Sequence, residues 1–208
     1  MENEGVINQR IGDFTKKIDI IQTTIIFLIA LLVPTFLGQI LNVILGSDNV
    51  IATNSQLIIG SIVNTALIIS ALNLKGWAKI AGVVTMPSIA TILGGYVFGT
   101  ASAYMVYMIP AIWLGNFALV YAYKLLFVKN EKNFFLAGIV GLIIKVAIIF
   151  GFFSILNAFS IFPEQLVSTL QKSMSSVQAI TAAIGIAISF VIYKLEIKGL
   201  KNKSQQAE

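Results

Sequence analysis

From Ile20 to Leu45 the chain runs 26 residues without one charged side chain, and apolar runs of similar character recur down to Leu195. This recurrence constrains the fold more than any motif does. Runs of about 20 apolar residues match the thickness of a bilayer's hydrocarbon core. In lipid every backbone polar group must be satisfied internally, so such runs are helices or strands of a closed barrel. Continuous apolar runs lack the inside–outside alternation of barrel strands, which leaves helices. The expected fold is therefore all-α: a polytopic membrane bundle of six transmembrane helices. The spans are predicted at about 20–45, 57–74, 80–98, 104–127, 133–157 and 177–195.

The segments between the runs set the orientation. Arg10, Lys16 and Lys17 precede the first span, Lys75 and Lys79 follow the second, and Lys124, Lys129 and Lys132 follow the fourth. Lys194, Lys198, Lys201 and Lys203 close the chain. With six spans these twelve cations fall on one side and Lys172 alone on the other. The positive-inside rule then makes both termini cytoplasmic. Residues 1–19 are expected to be a polar cytoplasmic tail, with a short interfacial turn from Ile11 to Ile18. Residues 196–208 are expected to be a second, basic tail. The first run is too long for a signal-peptide core, and it reads as a retained span. Residues 158–176 carry Leu166, Leu170 and Met174 at four-residue spacing among polar residues, the pattern of an amphipathic helix lying in the outer interface.

Composition supports this class and removes others. Hydrophobic residues make up 57% of the chain and charged residues 11%, against about 25% charged in a soluble domain. The chain has no cysteine and no histidine, so no thiolate or imidazole metal centre is expected. It has no Gly-x-x-x-x-Gly-Lys-[Ser/Thr] loop for a nucleotide. No cofactor and no nucleic-acid partner is expected, and the net charge of +5 reflects cations at helix ends. Neither paired carboxylates nor a depth-matched Ser–Lys dyad occurs in the spans, so the expectation is a protein without enzymatic activity.

Lys145 stands near the middle of Gly141–Phe150, the one charge deep inside a predicted span. A lysine at the centre of a membrane helix costs about 3 kcal/mol on insertion scales and usually faces a bundle interior. No predicted span interior holds Asp or Glu. Depth counting gives Lys145 a neighbour. Lys145 and Asn116 each lie twelve residues from the outer end of their predicted spans, about 18 Å along the axis. Asn64 lies seven residues down, about 10 Å. Above them the fourth span carries Tyr107 and Trp113, and the sixth begins near Gln178. Lys145, Asn116, Asn64, Trp113, Tyr107 and Gln178 are thus the candidate substrate-binding residues, in a pocket open to the outside. The alternative is structural: Lys145 held by Asn116 and backbone carbonyls, or uncharged, with the aromatics as interface anchors. Small residues at four-residue spacing, Ala30, Pro34 and Gly38 in the first span and Ala179, Ala183 and Ala187 in the sixth, mark faces for close helix approach.

Six spans in about 200 residues, with Gly60-Ser-Ile-Val-Asn64, Met86-Pro87-Ser88, Gly94-Gly95, Met108-Ile-Pro110, Gly115-Asn116, Gly141-Leu-Ile-Ile-Lys145 and Gln178-Ala-Ile-Thr181, resemble the S components of energy-coupling-factor (ECF) transporters. These are substrate-binding subunits of bacterial vitamin and micronutrient importers. The resemblance implies a multi-pass protein of the bacterial cell membrane that binds a small extracellular solute in its outer half. It also implies docking on a membrane coupling subunit served by two ATPase subunits. Ala30, Pro34 and Gly38 would then form the coupling-subunit contact, with the proline departing from the family's Ala-x-x-x-Ala pattern. A membrane scaffold or assembly protein, and a stand-alone facilitator, are the competing expectations.

Overall fold

The computed structural model describes residues 2–46, 49, 54–94 and 99–205. The described residues form helices and no strand. In chain order these are α1 (Glu2–Leu45), α2 (Ser55–Asn73), α3 (Trp77–Gly94), a 3₁₀ segment (Gly99–Tyr104) and α4 (Met105–Ala122). The last of these continues as a π-helix over Tyr123–Lys129, and α5 (Phe134–Ala158), α6 (Glu164–Met174) and α7 (Ser176–Gln205) follow. Among the described residues, five stretches are long and apolar enough to cross a membrane: Asp19–Leu45, Ser55–Asn73, Met105–Lys129, Phe134–Ala158 and Glu164–Lys198. The loop acid Asp48 and the glycine pair's second member, Gly95, lie outside the described residues.

Both ends of the chain are helical. Residues 2–19, expected as a polar tail with a short turn, form the first part of α1, which runs unbroken through Leu45. At 1.5 Å per residue its 44 residues span about 66 Å, twice the hydrocarbon thickness, so the polar half projects beyond the apolar one. Where the apolar half begins, Asp19 pairs with Lys79 of α3. At the other end α7 runs on through the basic segment to Gln205.

Local chemistry fixes the turns between helices. Gly46, at φ 85°, follows α1 and donates to the Asn42 carbonyl at 3.0 Å, a left-handed helix cap suited to glycine. Lys124 Nζ donates to the Leu74 carbonyl at 2.9 Å, placing a cation on the C-terminal end of α2. The Asn133 side chain accepts from the backbone N–H groups of Phe135 and Leu136 at 2.8 and 3.3 Å, an N-cap worth about 1 kcal/mol to α5. Inside the apolar helices, hydroxyls bond back to their own backbone, as Thr35 does to Leu31 at 2.7 Å and Ser61 to Leu57 at 2.7 Å.

The core has two apolar layers. One joins Leu67, Ile68, Val83, Leu119, Tyr123, Phe134 and Ile186 across α2, α3, α4, α5 and α7. The other joins Met105, Met108, Ile149, Phe153 and Phe162 with Leu170 and Met174 of α6. The amphipathic helix thus lies across the ends of α4 and α5 with its apolar face inward. Outward faces are apolar too: Ile25, Leu28, Leu32, Phe36 and Ile40 of α1, and Ile180, Ile184, Ile188 and Val191 of α7, are exposed, as lipid-facing stripes are.

Close helix contacts use glycines more than the alanine stripe of the last span. A Cβ on Gly115 of α4 would meet Ile149 of α5 at 2.8 Å, and one on Gly185 of α7 would meet the Asn64 Cβ of α2 at 2.6 Å. Gly60 of α2 leaves the same kind of room for Thr181 of α7. The buried face of α7 is therefore Thr181, Gly185 and Ser189, four residues apart, while Ala183 and Ala187 are exposed. The expected Ala179–Ala183–Ala187 face is rotated away from the bundle. The expected small-residue face of α1 points inward: Ala30, Pro34 and Gly38 are all buried, where α1 packs on α2 and α3. As a contact for a separate coupling subunit this face is already occupied by the chain's own helices.

Candidate functional site

Between the two apolar layers lies a cavity of about 70 Å³. Its polar lining comes from Gln56 and Asn64 of α2, Ser88 of α3, Asn116 of α4, Lys145 of α5, and Gln178 and Thr181 of α7. Its apolar lining is Pro34, Ile59, Val63, Pro87, Met105 and Ile112, with Gly60 beside them. Five helices that the sequence separates widely thus converge on one polar spot.

Lys145 is the centre of the spot. Its side chain is 2% exposed, and Nζ donates to Asn64 Oδ1 at 2.5 Å. Asn64 is held in turn: its Nδ2 donates to the Gly60 carbonyl at 2.8 Å and to Thr181 Oγ1 at 3.2 Å. The Thr181 hydroxyl donates to the Gln178 carbonyl at 3.2 Å. With both amide hydrogens committed, the Asn64 oxygen is turned toward the lysine. An ammonium has three donors, and Asn64 is its sole hydrogen-bond partner among the described residues. No Asp or Glu lines the cavity.

The remaining polar groups leave capacity unused. Asn116 Nδ2 makes a long bond to the Val84 carbonyl, 3.4 Å. Ser88 is 5% exposed, and its Oγ is buried with no hydrogen-bond partner among the described residues. Gln56, near the start of α2, accepts from Ser173 of α6 through Oε1 at 3.2 Å. That bond, together with Met105, which belongs both to the cavity wall and to the layer beneath α6, puts the amphipathic helix over the cavity's outer flank.

The expected site residues separate into two groups. Lys145, Asn116, Asn64 and Gln178 line one cavity. Asn64, and not Asn116, is the residue that Lys145 bonds. Tyr107 and Trp113 are not part of the lining. Tyr107 is half exposed on the outer face of α4, and Trp113 turns toward α3, donating Nε1–H to the Thr85 carbonyl at 3.3 Å. The cause is helical register: Met105, Ile112 and Asn116 share one face of α4 at seven- and four-residue spacing, and 107 and 113 fall off it. Pro34, expected at an outward contact, is part of the cavity wall. The candidate substrate-binding set left out Ser88, Thr181 and Gln56, all three of which line the cavity; Ser88 sits beside Pro87 in a stretch whose spacing marks no site.

A second cleft opens at the opposite end of the bundle, among Asn73, Phe127, Glu131, Tyr193 and Glu196, where Asn73 Nδ2 donates to Glu196 Oε1 at 3.2 Å.

Comparison with protein-family models, with curated protein sequences and with solved structures finds no match to this chain.

Proposed function

We propose that this protein binds a small anionic solute from the outer side of a bacterial cell membrane, in the cavity around Lys145. In this reading the chain crosses the membrane six times with both termini in the cytoplasm. It serves as the substrate-binding subunit of an ATP-driven importer of the ECF type, with a vitamin or related micronutrient as the solute class that the resemblance implies. One observation carries the binding part: a buried lysine faces a cavity with a single neutral partner and no carboxylate. A buried cation without an opposing charge is strongly unfavourable, so a site of this kind gains most from a ligand that brings the charge with it. The importer part rests on the sequence resemblance and on the lack of a nucleotide loop in the chain itself. The cavity is small for a drug-sized ligand, which occupies about 300 Å³ or more. A vitamin-sized solute therefore requires the outer ends of α2, α6 and α7 to part.

The second reading, a membrane scaffold in which Lys145 ties helices together, draws on the 2.5 Å bond to Asn64. Lys145→Met separates the two. The binding reading predicts a folded, monodisperse protein that has lost solute binding. The scaffold reading predicts unchanged function with a lowered unfolding temperature. Affinity purification of the full chain from its native membrane tests the importer part: an ATPase module should copurify, and its absence under mild detergent conditions rejects that part alone.

A further inference from the structure

The charge and hydrogen-bonding inventory of the cavity narrows the ligand beyond "anionic". Lys145 is the sole charged side chain lining it among the described residues. Held as an ammonium, it is neutralised by one negative charge. A dianion would leave a net negative charge buried between apolar layers, a neutral solute would leave the cation unmatched, and a cation would double the charge. The volume is the second restriction. An apolar cavity of about 150 Å³ accommodates benzene; this one, at about 70 Å³, restricts the ligand to something smaller than benzene. The third is the wall. Val63, Met105 and Ile112 present hydrocarbon, which favours a ligand with an apolar body over a bare inorganic ion.

The fourth restriction comes from Ser88. Its hydroxyl is buried, borders this cavity, and has no hydrogen-bond partner among the described residues. A hydroxyl left so costs stability and is uncommon unless something else completes it. It sits on α3, whereas Lys145 sits on α5, so the two donors address the cavity from different helices. A carboxylate, with two acceptor oxygens on one carbon, can accept from both.

Resting on the reading of this cavity as a solute site, we propose that its ligand is a compact monocarboxylate with a short apolar body, one oxygen meeting Lys145 and the other Ser88, and that Ser88 is a specificity-determining residue. Binding here involves no covalent step.

The test uses the detergent-purified full chain in chloride-free buffer, with propionate as the probe. Equilibrium dialysis measures binding, and thermal unfolding measures the stability of each variant. Propionamide, propylamine, succinate and chloride serve as the comparison set. Propionate should bind saturably. Each of the four others should bind at least ~10-fold more weakly, the scale of leaving one buried charge or donor unmatched. Ser88→Ala should weaken propionate by about 10-fold while leaving the ligand-free unfolding temperature level or raised, because it removes a buried hydroxyl that has no partner among the described residues. A purely structural serine would show the reverse pattern. Lys145→Met should abolish binding. If succinate, propionamide, propylamine or chloride matches propionate and Lys145→Met still abolishes binding, the monocarboxylate assignment fails and the solute site survives. If Ser88→Ala binds propionate as wild type does, the role given to Ser88 is overturned. If no solute in the set binds wild type, the monocarboxylate assignment fails while the site reading stands on its own test; if binding survives Lys145→Met, both fail together.

Discussion

Lys145 reaches Asn64 across a difference in depth. Counted from the ends of their helices nearest α6, at Ala158 and Ser55, Lys145 lies thirteen residues down and Asn64 nine. Four residues of helix are about 6 Å, which an extended lysine side chain covers by leaning outward. Depth alone favours Asn116, because counting residues fixes height but not the direction in which a side chain leaves its helix. The pair makes a sharp stability prediction. Asn64→Leu removes the lysine's sole protein acceptor and should destabilise the protein by about 1–3 kcal/mol. Asn64→Leu combined with Lys145→Met removes both members and should recover much of that loss. Reversible unfolding of the four proteins of this cycle, read by circular dichroism in detergent, gives the coupling directly. If the single and double variants lose stability additively, the bond contributes nothing.

At the scale of helices, the site depends on how closely α2 approaches α7 and α4 approaches α5. Gly185→Val would drive a side chain into Asn64, where even a Cβ comes to 2.6 Å, and should cost about 1–3 kcal/mol or more by overpacking. Gly151→Ala provides the contrast. Nothing lies within 4 Å of a Cβ there, so the helix gains up to about 1 kcal/mol of propensity. Unfolding temperatures that fall for Gly185→Val and hold or rise for Gly151→Ala support the contact. Equal effects contradict it. These contacts also mark the limit of what could be read from the chain. The helices themselves, and the amphipathic α6, follow from apolar run length and four-residue periodicity. Which face of α7 packs does not, because Ala183 and Gly185 are both small and only the approach of Asn64 selects between them. The same holds for Ala30, Pro34 and Gly38: spacing shows a face fit for close contact, and cannot say whether α2 and α3 or another protein fills it. The helical first half of α1 is hard to read for a different reason. Its polar sequence carries no hydrophobic period that would mark a helix.

For the whole molecule, the architecture places a single buried cation between two apolar layers, with an amphipathic helix over one flank and a cleft at the far end. The sorting of twelve cations from Lys172 gives the proposed orientation, and the chain's lack of cysteine makes it directly testable. Single cysteines at Ser160 and Asn54 should react with a membrane-impermeant maleimide in intact cells. Single cysteines at Asn130 and Ser204 should react after permeabilisation alone. Labelling of Ser204→Cys in intact cells would overturn the six-span arrangement. The central claim is narrower than the topology: the charge that balances Lys145 arrives with a ligand. Native mass spectrometry of the full chain, released gently from its membrane, tests it most directly. The account predicts a small anion bound one to one in wild type and missing from Lys145→Met at equal folded yield. Ligand-free wild type after gentle release, or the same bound species in both proteins, would contradict it.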